Sequence, residues 1–93
     1  MLQCEIVTPE SKLYSDEAHF VVIPASEGEM GILADHEPVL TVIKGGTVSV
    51  VDPAGERHAF EVSDGFISFD FNKLTVAVER GRDVVRTEGP GIE

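Results

Sequence analysis

The stretch that decides the fold of this chain lies at residues 65–79 and reads Gly-Phe-Ile-Ser-Phe-Asp-Phe-Asn-Lys-Leu-Thr-Val-Ala-Val-Glu. Apolar side chains occupy alternate positions on both sides of the link Asn72-Lys73: Ile67, Phe69 and Phe71 before it, and Leu74, Val76 and Val78 after it. Successive side chains of a strand point to opposite faces, so each set is expected to face a core. Because Asn tolerates left-handed backbone, the link predicts a tight hairpin.

The same pattern continues on both sides of this hairpin. Short runs rich in Val, Ile, Phe and Thr are separated by Gly, Pro, Asp and Asn, which is typical of antiparallel strands. Strands are predicted at residues 2–8, 13–24 (best defined at 20–23), 47–51, 57–62, 66–71 and 74–79. The motifs Asp52-Pro53-Ala54-Gly55 and Ser63-Asp64-Gly65 supply turn chemistry between them.

These elements predict one all-β domain at residues 1–83, a sandwich of two small antiparallel sheets. Residues 38–44 fit either a strand or a single helical turn. After residue 82 the sequence becomes polar, and residues 84–93 are expected to form a loose, flexible tail.

Composition limits the classes of partner. Seven Lys plus Arg face seventeen Asp plus Glu, a formal net charge of −10, which excludes a nucleic-acid partner because phosphate backbones need clustered basic residues. An acidic body suits a basic protein surface.

The single cysteine, Cys4, fits a reducing compartment. Apolar runs such as residues 20–23 are far shorter than the ~20 residues that cross a bilayer. Membrane association is therefore expected only through another protein.

Catalytic and metal motifs are missing from the sequence. No Lys directly follows a Gly, and there is no G-x-S-x-G elbow. His19, His36 and His58 are scattered and Cys4 stands alone, so we predict no metal site and no cofactor.

The least ordinary segment lies at residues 26–46. Gly28 and Gly31, with Glu27 and Glu29 beside them, predict a tight acidic turn in which glycine lets the backbone reverse. Local chemistry alone favours an ordinary acidic loop tip.

A histidine follows in the same segment. His36 lies between Asp35 and Glu37 and just before Pro38, which favours extended backbone at Glu37. We expect an exposed corner that presents the imidazole, and an ordinary surface histidine is the simpler alternative.

An enzyme alternative is a small β hydrolase that pairs His36 with Asp35 or Glu37. It lacks a nucleophile at a telling spacing, and adjacent residues of a strand point apart.

The order and spacing of many residues in this segment resemble the signature of F-type ATP synthase epsilon subunits. The matching run reads Ser26-Glu27-Gly28-Glu29-x-Gly31-Ile32-Leu33-x-x-His36-x-Pro38-x-Leu40-Thr41-x-Ile43-Lys44-x-Gly46. Val7-Thr8-Pro9-Glu10 with Tyr14-Ser15, Gly65-Phe66, and Arg80-Gly81-x-Asp83 are similar to the family in the same order. The resemblance covers residues 1–83. Ala34-Asp35 stands where Pro-Gly or Pro-Asn is usual, Glu37 replaces a small residue, and Asp64 stands where a second glycine is common.

The resemblance implies a β-sandwich that packs on the gamma subunit and stands on the ring of c subunits, as a non-catalytic part of the central stalk. It implies a peripheral position on the cytoplasmic face of the bacterial plasma membrane. Two sets of contacts are carried over. The c-ring set is Glu27, Gly28, Glu29, Thr8 and Glu10, and the gamma set is His36, Val39, Leu40 and Ile43.

The carboxyl end departs from the family. Most epsilon subunits continue into two helices that can inhibit hydrolysis and in some members bind ATP. Here Gly89, Pro90 and Gly91 stand where a helix should begin, as expected of a naturally short or a truncated subunit. We therefore expect no direct ATP binding and no helix-mediated inhibition. The alternative from another class is a free-standing β-sandwich that binds a peptide or a sugar.

Overall fold

The computed structural model describes residues 1–84, which form ten strands and no helix. The strands are β1 Leu2–Val7, β2 Lys12–Ala18, β3 Phe20–Ala25, β4 Gly28–Leu33, β5 Val39–Ile43, β6 Gly46–Val51, β7 Arg57–Val62, β8 Gly65–Asp70, β9 Lys73–Val78 and β10 Gly81–Val84. No helix capable of crossing a lipid bilayer occurs in this part of the chain.

The strands are hydrogen-bonded in the order β10-β7-β6-β3-β5-β8-β9-β1-β2, and β4 pairs with β3. Strands β10, β7, β6, β3 and β4 make one layer, and β5, β8, β9, β1 and β2 make the other. The two layers are joined where Ala25 lies opposite Ile43. The predicted all-β sandwich is confirmed. One pairing differs from the prediction, because β1 and β9 run parallel, from Gln3 opposite Lys73 to Val7 opposite Ala77.

Alternation along the strands builds the core between the layers. Its buried members include Leu2, Cys4, Ile6, Val21, Ile23, Val48, Val50, Phe60, Ile67, Phe69, Leu74, Val76 and Val78. Burial of one such side chain contributes about 1.5–3 kcal/mol, so the core is the main source of stability. Five of the six residues predicted to line the β8–β9 hairpin lie here.

The sixth of these residues, Phe71, does not lie in the core. The turn between β8 and β9 consists of Phe71 and Asn72, with φ angles of 51° and 57°, one position earlier than predicted. Two positive φ angles are the requirement of a type I′ hairpin turn. Because Phe71 occupies the first of them, its ring leaves the strand and is 94% exposed, so the prediction that it faces the core was wrong.

Other boundaries also differ from the sequence expectation. Residues 13–24, which were predicted to contain one strand, hold most of two strands, β2 and β3, separated at His19. Residues 39–43 form a strand, not a helical turn. Strands β4 and β10 were not predicted. Val84, the first residue of the predicted tail, belongs to β10, and the rest of that tail lies outside the described residues.

Candidate functional site

The predicted c-ring contacts come together at one end of the sandwich. Ala25 lies opposite Ile43, and Ile43 lies opposite Gly65. Gly65 lies opposite Val78, which follows Ala77, the partner of Val7. The loops that follow these strand ends therefore share one end, which we call the Glu27 end: residues 8–11, 26–27, 44–45, 63–64 and 79–80. The loops at residues 34–38, 52–56 and 71–72 form the opposite end, which we call the His36 end.

The β3–β4 hairpin forms the acidic tip of the Glu27 end. Ala25 pairs with Gly28, so Ser26 and Glu27 are its two turn residues, and Glu27, Gly28 and Glu29 are all exposed. Gly28 has a φ of 122°, a region that side-chain-bearing residues rarely adopt, which explains glycine at this position. The predicted tight acidic turn is confirmed.

The second glycine of the motif has another role. A Cβ on Gly31 would lie 3.0 Å from Cε1 of the Phe20 ring, so Gly31 makes room for an aromatic side chain on the neighbouring strand. The expectation that both glycines serve the chain reversal was therefore right for Gly28 and wrong for Gly31.

The loop at residues 8–11 is held by Thr8. Its Oγ1 accepts hydrogen bonds from the backbone N–H groups of Ser11 at 3.1 Å and Glu10 at 3.3 Å. The Thr8 N–H donates to the Ser11 carbonyl at 2.9 Å. Thr8 is half-buried, whereas the Glu10 side chain is exposed. A cleft of about 410 Å³ adjoins this loop and is floored by Phe66 and Ala77.

At the opposite end, His36 is half-buried and is not the fully exposed corner that we predicted. Its ring meets the Phe69 ring edge-on, with centroids 5.9 Å apart and planes at 86°. Its Nδ1 donates to the Glu37 carbonyl at 2.7 Å. The Asp35 carboxylate accepts instead from Asn72 Nδ2 at 3.1 Å, so it does not orient the imidazole as a hydrolase pair would.

Strand β5 separates the remaining predicted gamma contacts into two faces. Val39 packs against the core and Ile43 is 2% exposed within it, so Ile43 cannot present its side chain to a partner without unfolding. Leu40 and Val42, on the opposite face, are 76% and 63% exposed. The sequence interpretation singled out Ile43 and not Val42, although Val42 is the exposed residue of the two.

Val42 lies opposite Phe66 of β8, which is 50% exposed. We call Leu40, Val42 and Phe66 the apolar patch. The row that contains Val42 and Phe66 continues across the same face through Ala77 and Val7. Strict alternation within β5 would have revealed the patch once a single residue of that strand was known to be buried.

A third polar feature lies in the β6–β7 turn at the His36 end. Asp52 Oδ2 lies 2.8 Å from Nε2 of His58. This hydrogen bond, followed by those from the backbone N–H groups of Glu56 and Ala54, holds the pKa of Asp52 below its ordinary value. Both carboxylate oxygens of Asp52 therefore accept hydrogen bonds, Oδ1 from the backbone and Oδ2 from His58.

Comparison with known proteins identifies the family. A family model described as "ATP synthase, Delta/Epsilon chain, beta-sandwich domain" matches residues 1–83. This chain belongs to that family. The resemblance inferred from residues 26–46 is confirmed.

Individual relatives are epsilon chains of bacterial ATP synthases. The one from Campylobacter fetus subsp. fetus is 37% identical over 78 residues, which cover 84% of this chain and 60% of the relative. The one from Chelativorans sp. is 50% identical over 62 residues, or 67% of this chain and 46% of the relative. The chain thus spans about half to three-fifths of these curated relatives.

Two solved assemblies contain chains of the same fold. A chain of the Euglena gracilis mitochondrial ATP synthase (OSCP/F1/c-ring) superposes with a TM-score of 0.81 at 20% identity, covering 86% of this chain and 51% of that one. A chain of the Tetrahymena thermophila mitochondrial ATP synthase central stalk/c-ring gives 0.70 at 15% identity, covering 98% and 76%. At these identities the likeness concerns the fold.

Proposed function

We propose that this chain is a non-catalytic rotor component of an F-type, proton-transporting ATP synthase. In this role it joins the gamma subunit to the c-ring on the cytoplasmic face of the bacterial plasma membrane and helps to couple ion flow to ATP synthesis. Family membership supports the assembly. The observation that carries the specific role is that one packed sandwich bears two separate exposed surfaces of different chemistry, an acidic hairpin tip and an apolar patch.

The acidic tip is the proposed c-ring surface. Glu27 and Glu29 project from a hairpin whose two strands pair at six successive positions, so the tip is stiffly supported. Thr8 and Glu10 add a second loop at the same end of the sandwich. Exposed ion pairs contribute about 0–1 kcal/mol each, so these carboxylates set the orientation of the contact and supply little of its affinity.

The apolar patch is the proposed gamma surface. Leu40, Val42 and Phe66 are large side chains that lie together on an exposed sheet face, which marks an interaction site in an otherwise acidic protein. Their burial against a partner would contribute about 25 cal/mol per Å² of apolar area. His36 and Val39 support β5 from the side facing the core.

A rigid body between these surfaces is what torque transfer requires. Closely packed interiors have low compressibility and transmit strain, so a force applied at one surface reaches the other with little loss. Two simultaneous attachments also raise the effective concentration of each contact, which allows both to be individually modest.

The proposal is tested by reconstituting the ATP synthase with variants of this chain. L40D and V42D should reduce retention of the chain on gamma, because each buries a charge in an apolar contact. E27K and E29K should leave gamma retention intact and lower proton-driven ATP synthesis. E17K reverses an exposed charge on β2, four strands from β5 and at the end of the sandwich opposite the acidic tip. It is the matched control and should change neither measurement.

Unchanged coupling with E27K and E29K would remove the c-ring assignment, and full gamma retention with L40D and V42D would remove the gamma assignment. A wild-type chain that never co-purifies with gamma would overturn the proposal as a whole and favour a free-standing binding module.

A further inference from the structure

A cluster of potential metal ligands lies apart from both proposed docking surfaces, in the β6–β7 turn at the His36 end. Asp52, Glu56 and His58 each offer one ligand atom, and these atoms all lie within 4.8 Å of one another. The cluster combines an imidazole nitrogen with two carboxylates. This mixed donor set distinguishes it from the purely acidic pairs that an acidic surface carries without consequence.

Two of the three donors are held in place by the fold. Asp52 Oδ1 accepts the backbone N–H groups of Ala54 and Glu56, both at 2.9 Å, which leaves Oδ2 directed toward His58. The His58 ring is tilted against the Tyr14 ring with centroids 5.6 Å apart. Glu56, in contrast, is exposed, although one of its carboxylate oxygens already lies within 4.8 Å of the other two ligand atoms. Ordering one surface side chain is thus the main conformational cost of completing the site.

The spacing suits a small divalent ion. Zinc binds His nitrogen at about 2.0–2.1 Å and carboxylate oxygen at about 2.0–2.2 Å, which places adjacent ligands roughly 3–3.5 Å apart. Asp52 Oδ2 and His58 Nε2 are already 2.8 Å apart, so a small outward shift of each admits the ion. The net charge of −10 raises the local concentration of cations, and the imidazole favours zinc over Mg²⁺, which prefers oxygen ligands.

We propose that Asp52, Glu56 and His58 bind one zinc ion, with its remaining coordination positions open to solvent. The ion takes the place of the hydrogen bond between Asp52 Oδ2 and His58 Nε2 and ties both ends of the β6–β7 turn together. His58 binds through the Nε2 lone pair, and the proton of Nε2 is transferred to water or, through water, to Nδ1. This site is independent of the proposed rotor function, because none of its ligands belongs to either docking surface.

The experiment titrates zinc chloride into the purified, chelator-treated chain and measures the heat of binding. One site per chain is expected. H58Q and E56Q should each lower the affinity for zinc at least about tenfold. Even the loss of a residue that only hydrogen-bonds to a metal ligand lowers metal affinity by about that factor. H36Q, at the same end of the sandwich, and H19Q are the matched controls and should stay within about twofold of wild type. Circular dichroism checks that every variant is folded.

A second measurement needs no variant. Zinc should shift the imidazole nitrogen resonances of His58 and leave those of His19 and His36 unchanged. Absence of binding heat at millimolar zinc, wild-type affinity in H58Q, or equal affinity for Mg²⁺ would each overturn the site. Loss of ATP synthase coupling in E27K has no bearing on it, so the two proposals fail separately.

Discussion

At the scale of single residues, the His36 end is shaped by left-handed backbone at Asp35, Phe71 and Asn72. Asp35 and Asn72 stabilise each other: the Asp35 N–H donates to Asn72 Oδ1 at 2.6 Å, and Asn72 Nδ2 donates back to Asp35 Oδ1 at 3.1 Å. Asp and Asn tolerate this conformation. Phe71 has no such tolerance, and its exposed ring gains little from packing, so it holds a strained position at a net cost.

Replacement of Phe71 should therefore stabilise the protein. F71N removes much of a left-handed penalty of about 1–2 kcal/mol, and we expect the free energy of unfolding to rise by about 0.5–1 kcal/mol. Urea denaturation at neutral pH measures the change. F71A, which keeps the backbone penalty and removes the ring, is the control and should stay close to wild type. A loss of stability in both variants would show that the ring makes a favourable contact.

The sequence predicted which side chains are buried for some strands and not for others. Alternation predicted the inward positions of Ile67, Phe69 and Leu74, because period two is enforced wherever one face of a strand is buried. Alternation could not place Ile43, which was assigned to the gamma contacts through the family resemblance, because residues 42 and 43 are both apolar. Only the register of the pairing with β8 shows which of them faces the core. That register places Val42 opposite Phe66 and Ile43 opposite Gly65.

At the scale of elements, strand β8 begins at a glycine because β9 passes too close for a side chain. A Cβ on Gly65 would collide with the carbonyl oxygen of Ala77 and lie 2.8 Å from Val78 Cγ1. Since one of these neighbours is backbone of a paired strand, no rotamer change relieves the contact. The β8–β9 pairing therefore depends on the missing side chain.

The substitution G65A should consequently destabilise the domain by about 2–3 kcal/mol, the upper part of the range for an overpacked core. The matched control is G55A. Gly55 has a φ of 87° and nothing near its Cβ position, so only a backbone penalty of about 1 kcal/mol is expected there. Thermal unfolding of both variants measures the difference. Equal costs at the two glycines would contradict the steric explanation.

Elements whose stability comes from tertiary pairing were the ones that the sequence did not reveal. Strand β4 contains two glycines and an exposed glutamate, which lower its strand propensity, yet it pairs with β3 along its whole length. Strand β10 is four residues long and pairs with β7, where Arg82 Nη2 lies 2.8 Å from Glu61 Oε1. The acidic turn and the family signature were found because they depend on local residue order.

At the scale of the whole molecule, the burial of two titratable side chains makes the stability of the fold depend on pH. Burial, assisted by the Glu5 charge, raises the pKa of the Cys4 thiol from 9.0 to about 12. Burial, with added repulsion from Asp16, raises the pKa of Tyr14 from 10.0 to about 12. The folded state thus favours the neutral form of both groups, whereas the unfolded chain releases the same protons at lower pH.

Stability should therefore fall as pH rises from about 9 to about 12, because over that interval the unfolded state binds fewer protons than the folded state. Urea unfolding at a series of pH values measures the slope. Y14F and C4A each remove one titrating group and should flatten the decline, whatever their effect at neutral pH. A decline of unchanged steepness in both variants would assign the alkaline loss to other groups.

The parallel pairing of β1 with β9 also determines when the domain can fold during its synthesis. Strand β1 leaves the ribosome well before β9, because position 3 lies opposite position 73. Until β9 has emerged, one edge of β1 lacks its hydrogen-bonding partner, and contacts so distant along a chain form slowly. The β1–β9 ladder therefore cannot form before β9 has been synthesised, and until then the nascent chain is exposed to aggregation.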